Sequence, residues 1–229
     1  MPLLRFQLSR MVRSREYRVA LLLSSLCVCA AFLYEANAAS ALDRSQILSA
    51  SEVACGYGLS YGWGLFSALW PFLVVLPFAT SFISDRKEQC IAPAVTRSSY
   101  PAYFRGKLLA SAIGSATVVL LPMLLNLALC YLVFPVNHNL ILSGYEDYMY
   151  PIILLGQNKM YRSVSDGYPF LRLYLFSPLL HQLLYLFLLG GFSGLCGAAV
   201  AALSFRLPRW KLPLFLPLYA VLVLTLRLR

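Results

Sequence analysis

The chain has 229 residues, of which 60% are hydrophobic and 12% charged, and its net charge is +10. Soluble domains carry about 25% charged residues, so this composition excludes an ordinary water-soluble enzyme or binding domain. No Asp, Glu, Lys or Arg occurs between Glu52 and Asp85, between Lys107 and Glu146, or between Arg172 and Arg206. A bilayer core about 30 Å thick requires roughly 20 apolar residues as a helix. We therefore predict an all-α polytopic membrane protein with one domain over residues 1–229.

The first segment, residues 1–18, is predicted to form an amphipathic helix at the membrane surface. Its apolar residues Leu4, Leu8, Met11 and Val12 share one stripe at helical spacing, on a helix that suits an anionic membrane. A solvated basic tail that only sets the topology is the alternative. The basic residues of the segment are Arg5, Arg10, Arg13, Arg15 and Arg18.

Five transmembrane helices are predicted after this segment. The first runs from Val19 to Tyr34 and precedes Ala36-x-Ala38, so a cleavable signal peptide is the alternative interpretation. The second lies within residues 63–84 and contains Pro71 and Pro77, which membrane helices tolerate. The fifth is short for a full span, although flanking arginines can reach the interface. The third, fourth and fifth are predicted at Lys107 to Phe134, Phe176 to Phe205 and Leu212 to Leu226.

Basic residues are divided unequally between the two sets of loops. One side carries 13 Lys and Arg residues and the other carries 6. Because cytoplasmic loops hold the excess, the N-terminus and residues 85–105 are predicted to be cytoplasmic, and residues 135–175 extracytoplasmic. This distribution also explains the net charge, so no nucleic-acid partner is expected.

Small residues recur every four positions in the third and fourth predicted helices. Such spacing allows two helix backbones to approach closely. The partner helix could belong to this chain or to a second copy, and the sequence leaves both open. The residues are Gly106, Ala110 and Gly114 in the third helix and Gly190, Gly194 and Ala198 in the fourth.

Motifs for catalysis in this chain are missing from the sequence. It has no Gly-x-x-x-x-Gly-Lys-[Ser/Thr] loop, the device that cradles ATP phosphates. It has no His-Glu-x-x-His motif, and no carboxylate pair lies within a predicted span. We therefore predict no catalytic, cofactor-binding or metal site in this chain, and a protein that is not itself an enzyme.

The most specific stretch runs from Pro71 to Ser111. An apolar span ends at Ser84 and meets the charged cluster Asp85, Arg86, Lys87 and Glu88. A short amphipathic piece follows, and the chain then re-enters the membrane. From the residues alone, a short cytoplasmic helix that transmits force and a loop that only sets the topology are equally supported. The later polar positions are Arg97, Ser98, Tyr103 and Lys107.

This stretch resembles the cytoplasmic connection between helices two and three of ABC exporter permeases of the type-2 export class. The matching positions are Asp85, Arg86, Lys87, Arg97, Ser98, Tyr103 and Lys107. Residues 177–204 and the apolar span after them resemble the family's fourth and fifth helices, and the similarity covers most of residues 1–226. The resemblance implies six spans, whereas five are predicted here, so a sixth is left open.

The resemblance also implies a function. The chain would be the membrane subunit of an exporter in the bacterial plasma membrane, moving a hydrophobic or amphipathic peptide, lipid or drug outward. It would pair with a second permease copy or a related permease, and with cytoplasmic ATPase subunits that bind ATP and Mg²⁺. Residues 85–105 would form the coupling segment, with Glu88 added to the matching positions. A non-transporting membrane sensor, immunity or assembly factor of the same shape is the alternative.

Overall fold

A computed structural model of the chain describes residues 2–40, 49–54, 61–77, 85, 100–136, 170, 173 and 176–206. The described elements are all helical. They are α1 (Pro2–Arg13), α2 (Arg15–Ser40), α3 (Ala50–Val53), α4 (Tyr61–Val75), α5 (Tyr100–Val133) and α6 (Pro178–Arg206).

Three of these helices are long and apolar enough to cross a membrane. They are α2, α5 and the Pro178–Phe205 part of α6, with mean hydropathy of 2.0, 2.2 and 2.0. At 1.5 Å per residue, even the 26 residues of α2 extend about 39 Å, more than the thickness of a bilayer core. The predicted class, an all-α membrane protein with several spans, is confirmed. The predicted fifth span, Leu212 to Leu226, lies outside the described residues.

The helix boundaries differ from the prediction at two places. Helix α4 ends at Val75, and Pro77 lies in the turn after it rather than inside a longer span. Proline disfavours the helical conformation of the residue before it, which explains the early end. Helix α5 begins at Tyr100, with Pro101 in its first turn, where a proline is well tolerated. Residues 100–105 of the predicted coupling segment therefore belong to a membrane-spanning helix.

The described residues group into two compact units. The first comprises residues 1–28, 64–122 and 187–229, and the second comprises residues 29–63 and 123–186. Their boundaries fall within α2, α4, α5 and α6. In the first unit α5 contacts α1, α4 and α6. In the second unit Ala50 N donates to Pro135 O at 2.9 Å, and Gln182 Nε2 donates to Ser51 O at 2.6 Å.

Small residues bring α5 and α6 close together in the first unit. A Cβ built on Gly194 would lie 3.0 Å from the carbonyl oxygen of Ala112, and one built on Gly197 would lie 2.6 Å from Ser115 Cβ. The same approach lets Ser111 Oγ donate to Gly197 O at 3.0 Å. Gly190 meets the side chain of Leu120 in the same way. The glycines of α6 thus pack against a helix of the same chain.

A second set of polar contacts fixes α4 in the first unit. Trp70 Nε1 donates to Ser193 Oγ at 2.9 Å, and the Trp70 ring stacks on Phe192 with centroids 5.6 Å apart. On the other side, Ser115 Oγ donates to Val74 O at 2.6 Å. That hydroxyl supplies a donor to a carbonyl near the end of α4, where intrahelical partners are lacking.

Candidate functional site

The most polar buried site among the described residues is centred on Asp85. Its carboxylate is 1% exposed. One oxygen, Oδ2, accepts a hydrogen bond from Tyr103 Oη at 2.5 Å and forms an ion pair with Lys107 Nζ. The other, Oδ1, lies 2.6 Å from Arg10 Nη1. We call these four side chains the Asp85 network.

The helical register of α5 explains two members of the network. Tyr103 and Lys107 are four residues apart, so they lie on one face of the first turns of α5. Lys107 Nζ donates to Tyr103 Oη at 3.3 Å and lies 5.5 Å from the centroid of that ring. The ammonium therefore has a carboxylate, a hydroxyl and an aromatic face around it, although it is only 2% exposed. Buried charges require such partners.

Helix α1 supplies the remaining member, Arg10. Its side chain is 37% exposed, so one part of the guanidinium binds Asp85 and another part remains accessible. Two cations surround one carboxylate, which leaves the network with a net charge of +1. The excess charge lies with Arg10 rather than Lys107, because Arg10 alone of the two is accessible.

Further contacts attach α1 and the start of α2 to α5. Met11 is 2% exposed and lies against Gly114, where a Cβ would clash with the sulfur. Tyr17 Oη and Thr117 Oγ1 share a hydrogen bond of 3.2 Å. Between the two helices, Ser14 Oγ accepts from Tyr17 N at 3.2 Å and donates to Met11 O at 2.7 Å. Ser14 is thus the N-cap of α2 and fixes the corner between α1 and α2.

The apolar stripe of α1 faces the protein only in part. Met11 is buried, and Leu4 and Leu8 are half-buried, whereas Val12 is 52% exposed. The buried face also contains the polar residue Gln7, which is 1% exposed. The helix therefore packs on α5 through a face that is rotated from the predicted stripe, and it leaves Val12 on the outside.

The structure brings together three of the eight coupling candidates and leaves the others undescribed. Asp85, Tyr103 and Lys107 meet in the network, and each is at most 2% exposed. Because they are buried, their direct partners are groups of this chain. The five other candidates, Arg86, Lys87, Glu88, Arg97 and Ser98, lie outside the described residues.

The helix-packing candidates lie mostly in the interior. Ala110 is fully buried, and Gly106, Gly114, Gly190 and Gly194 are buried as well, while Ala198 is half-buried. Gly190 and Gly194 contact α5, and Gly114 contacts Met11 of α1. One stripe therefore serves helix pairing between spans, and the other also receives the N-terminal helix.

Arg10 is the member of the network that the sequence analysis did not single out. It was counted only as one of five basic residues that set the topology. A signal was nevertheless present, since Arg10 lies three residues after Gln7 and beside Met11, at the edge of the face that is buried. Its partner Asp85 is far away in sequence, so no local spacing connects the two.

Comparisons with known proteins return no match: no family model fits the chain, and no curated protein or solved structure is significantly similar to it. Among the residues that the structure describes, no group of three or more His, Cys, Asp or Glu side chains is arranged to hold a metal ion.

Proposed function

We propose that this chain is the membrane-spanning subunit of an ABC exporter of the type-2 export class. It would move a hydrophobic or amphipathic peptide, lipid or drug outward across the bacterial plasma membrane. A separate cytoplasmic ATPase subunit would bind ATP and Mg²⁺ and hydrolyse the nucleotide. The permease itself would carry no catalytic residue, and a second copy or a related permease would complete the transport pathway.

The observation that carries this proposal is the burial of Asp85 between Arg10 and Lys107. Acidic residues contribute little to membrane orientation, so a loop that only sets the topology has no need of a buried carboxylate. A carboxylate held by α1 and α5 fixes the position at which the cytoplasmic connection leaves the second span. This is the arrangement that a segment transmitting force requires, because displacement of the connection then moves both helices.

Asp85, Tyr103 and Lys107 act in this proposal as positioning residues. They hold the first residue of the connection and the first turns of α5, and they do not touch the ATPase. Direct contact with the ATPase would be made by other charged residues of the segment, of which Glu88 is the acidic one. The finer topology belongs to the same proposal, with five or six spans, a cytoplasmic N-terminus and a cytoplasmic segment at residues 85–105.

The test is capture of the partner from the native host, followed by a charge reversal in the segment. The full chain is affinity-purified in mild detergent, and the copurifying proteins are examined for an ATPase with a phosphate-binding loop. The variant Glu88→Lys is then compared with Glu35→Lys, which makes the same charge change in the last third of α2. We expect Glu88→Lys to reduce ATPase recovery and ATP turnover severalfold, and Glu35→Lys to change neither.

Two outcomes count against the proposal. If no such ATPase is recovered even after crosslinking in intact cells, a non-transporting sensor, immunity or assembly factor becomes the better interpretation. If an ATPase is recovered but Glu88→Lys leaves its recovery and turnover unchanged, the coupling role of the segment fails while the subunit assignment stands.

A further inference from the structure

An open groove of about 480 Å³ lies on helix α1, beside the Asp85 network. It is lined by Phe6, Ser9, Arg10, Arg13 and Ser14. Its volume is within the range of small-molecule sites, roughly 300–1,000 Å³. The lining combines two guanidinium groups, two hydroxyl groups and one aromatic ring, and it contains no acidic side chain. This combination favours an anion that carries an apolar portion.

The charge balance around the groove also calls for an anion. Residues 1–18 contain five arginines and one acid, Glu16. Asp85 already has both Lys107 and Arg10, so it does not neutralise Arg10 fully. Arg18 bends back and donates to Arg13 O at 3.1 Å, which brings a further positive charge to the corner. Guanidinium groups bind phosphate with paired hydrogen bonds, and the two arginines of the groove are placed to do so together.

The position of the groove along the chain indicates which anion it meets. Ser14 lines the groove and caps α2, and the first strongly exposed apolar residue of α2 is Val19, which is 55% exposed. Five residues of helix correspond to about 7.5 Å. That is the depth of the headgroup layer, since a bilayer about 40–45 Å thick has a core of about 30 Å. Phe6, 61% exposed at the edge of the groove, lies beside the bound headgroup.

We propose that this groove binds the phosphate headgroup of an anionic phospholipid of the cytoplasmic leaflet. Arg13 and the accessible part of Arg10 hold the phosphate, Ser9 donates a hydrogen bond, and Phe6 contacts the glycerol and upper acyl region. Since Arg10 also binds Asp85, an occupied groove is directly connected to the Asp85 network. The inference depends on the chain being a membrane protein and is independent of the ABC exporter assignment.

The experiment measures lipid binding by native mass spectrometry of the full chain in nonionic detergent. Phosphatidylglycerol is titrated as the probe, with phosphatidylcholine and inorganic phosphate in separate arms. The groove variant is Arg13→Gln, because Arg13 is exposed and does not contact Asp85. The matched control is Arg5→Gln, which removes the same charge from another exposed position of α1 that does not line the groove.

We expect phosphatidylglycerol to bind wild-type protein at least tenfold more tightly than phosphatidylcholine. Arg13→Gln should raise the half-saturating phosphatidylglycerol concentration about tenfold, and Arg5→Gln less than twofold. Equal effects of the two variants would overturn the proposal, since diffuse attraction to a basic helix does not distinguish them. Stabilisation of the protein by inorganic phosphate alone would overturn the lipid assignment. Loss of ATPase binding in Arg13→Gln, with lipid binding unchanged, would show that the groove is a protein contact instead.

Discussion

Replacing Asp85 by Asn removes the anion of the network and keeps the shape of the side chain. Lys107 is 2% exposed, so its charge would remain buried without its carboxylate. Removing one partner of a buried ion pair costs about 3–5 kcal/mol. Asn retains an acceptor for Tyr103, and Arg10 can turn toward water, so we expect the lower end of that range. For a chain of this length 1 kcal/mol changes Tm by about 2–4 °C, which gives a decrease on the order of 10 °C.

The assay is thermal unfolding of purified protein in detergent, followed by circular dichroism and by the fraction that stays monodisperse. Glu35→Gln serves as the control, since it removes a carboxylate that is not buried, and it should change Tm by less than 2 °C. The double variant Asp85→Asn with Lys107→Met removes both buried charges. It should recover at least half of the lost stability, because replacing both partners by neutral groups costs far less than orphaning one of them.

Two results would refute this reasoning. A decrease below 2 °C in Asp85→Asn would mean that water reaches the network and that Lys107 is not desolvated. Strictly additive effects of Asp85→Asn and Lys107→Met would mean that the two charges do not interact, since residues in contact normally show coupling of about 0.5–3 kcal/mol.

Three further predictions concern packing and topology. Gly197→Leu should lower Tm by several degrees because no side chain fits against α5, whereas Gly191→Leu, at an open position of the same helix, should leave Tm within about 2 °C; equal effects would show that helix propensity rather than packing decides. Trp70→Phe should lose the hydrogen bond to α6 while keeping the ring contact, at a cost of about 1 kcal/mol in the same assay; no change would mean that water replaces the bond. In a cysteine-free background, a membrane-impermeant thiol reagent added outside cells should label Ser143→Cys and not Ser9→Cys; the reverse labelling would invert the predicted topology.

The positions of the site could be predicted from the sequence further than their roles. The motif drew attention to Asp85, Tyr103 and Lys107, and the spacing of the last two already placed them on one helical face. Their inward orientation was not predictable, because a charged cluster after a span is usually solvated. Arg10 was missed for a different reason: its contact with Asp85 joins segments that are distant in sequence, and such a contact leaves no periodic pattern.

The fold shows the same division between local and long-range information. Long charge-free intervals were sufficient to predict α5 and α6, since length and hydropathy are properties of one segment. The early start of α5 at Tyr100 was missed because the charged residues Arg105 and Lys107 resembled the end of a loop. The spacing of Gly190 and Gly194 predicted a close helix contact, but only the three-dimensional arrangement identified Ala112 and Leu120 of α5 as the surface that they meet.

The bond between Arg10 and Asp85 also orders the assembly of the chain on the ribosome. While only α1 and α2 have been synthesised, Arg10 has no Asp85 to bind, and its guanidinium is left with water and lipid. Asp85 follows the α4 region, and its second cation, Lys107, is added later still with α5. The N-terminal helix therefore docks late, and a nascent chain that ends before Asp85 lacks the contact that holds this helix to the rest of the protein.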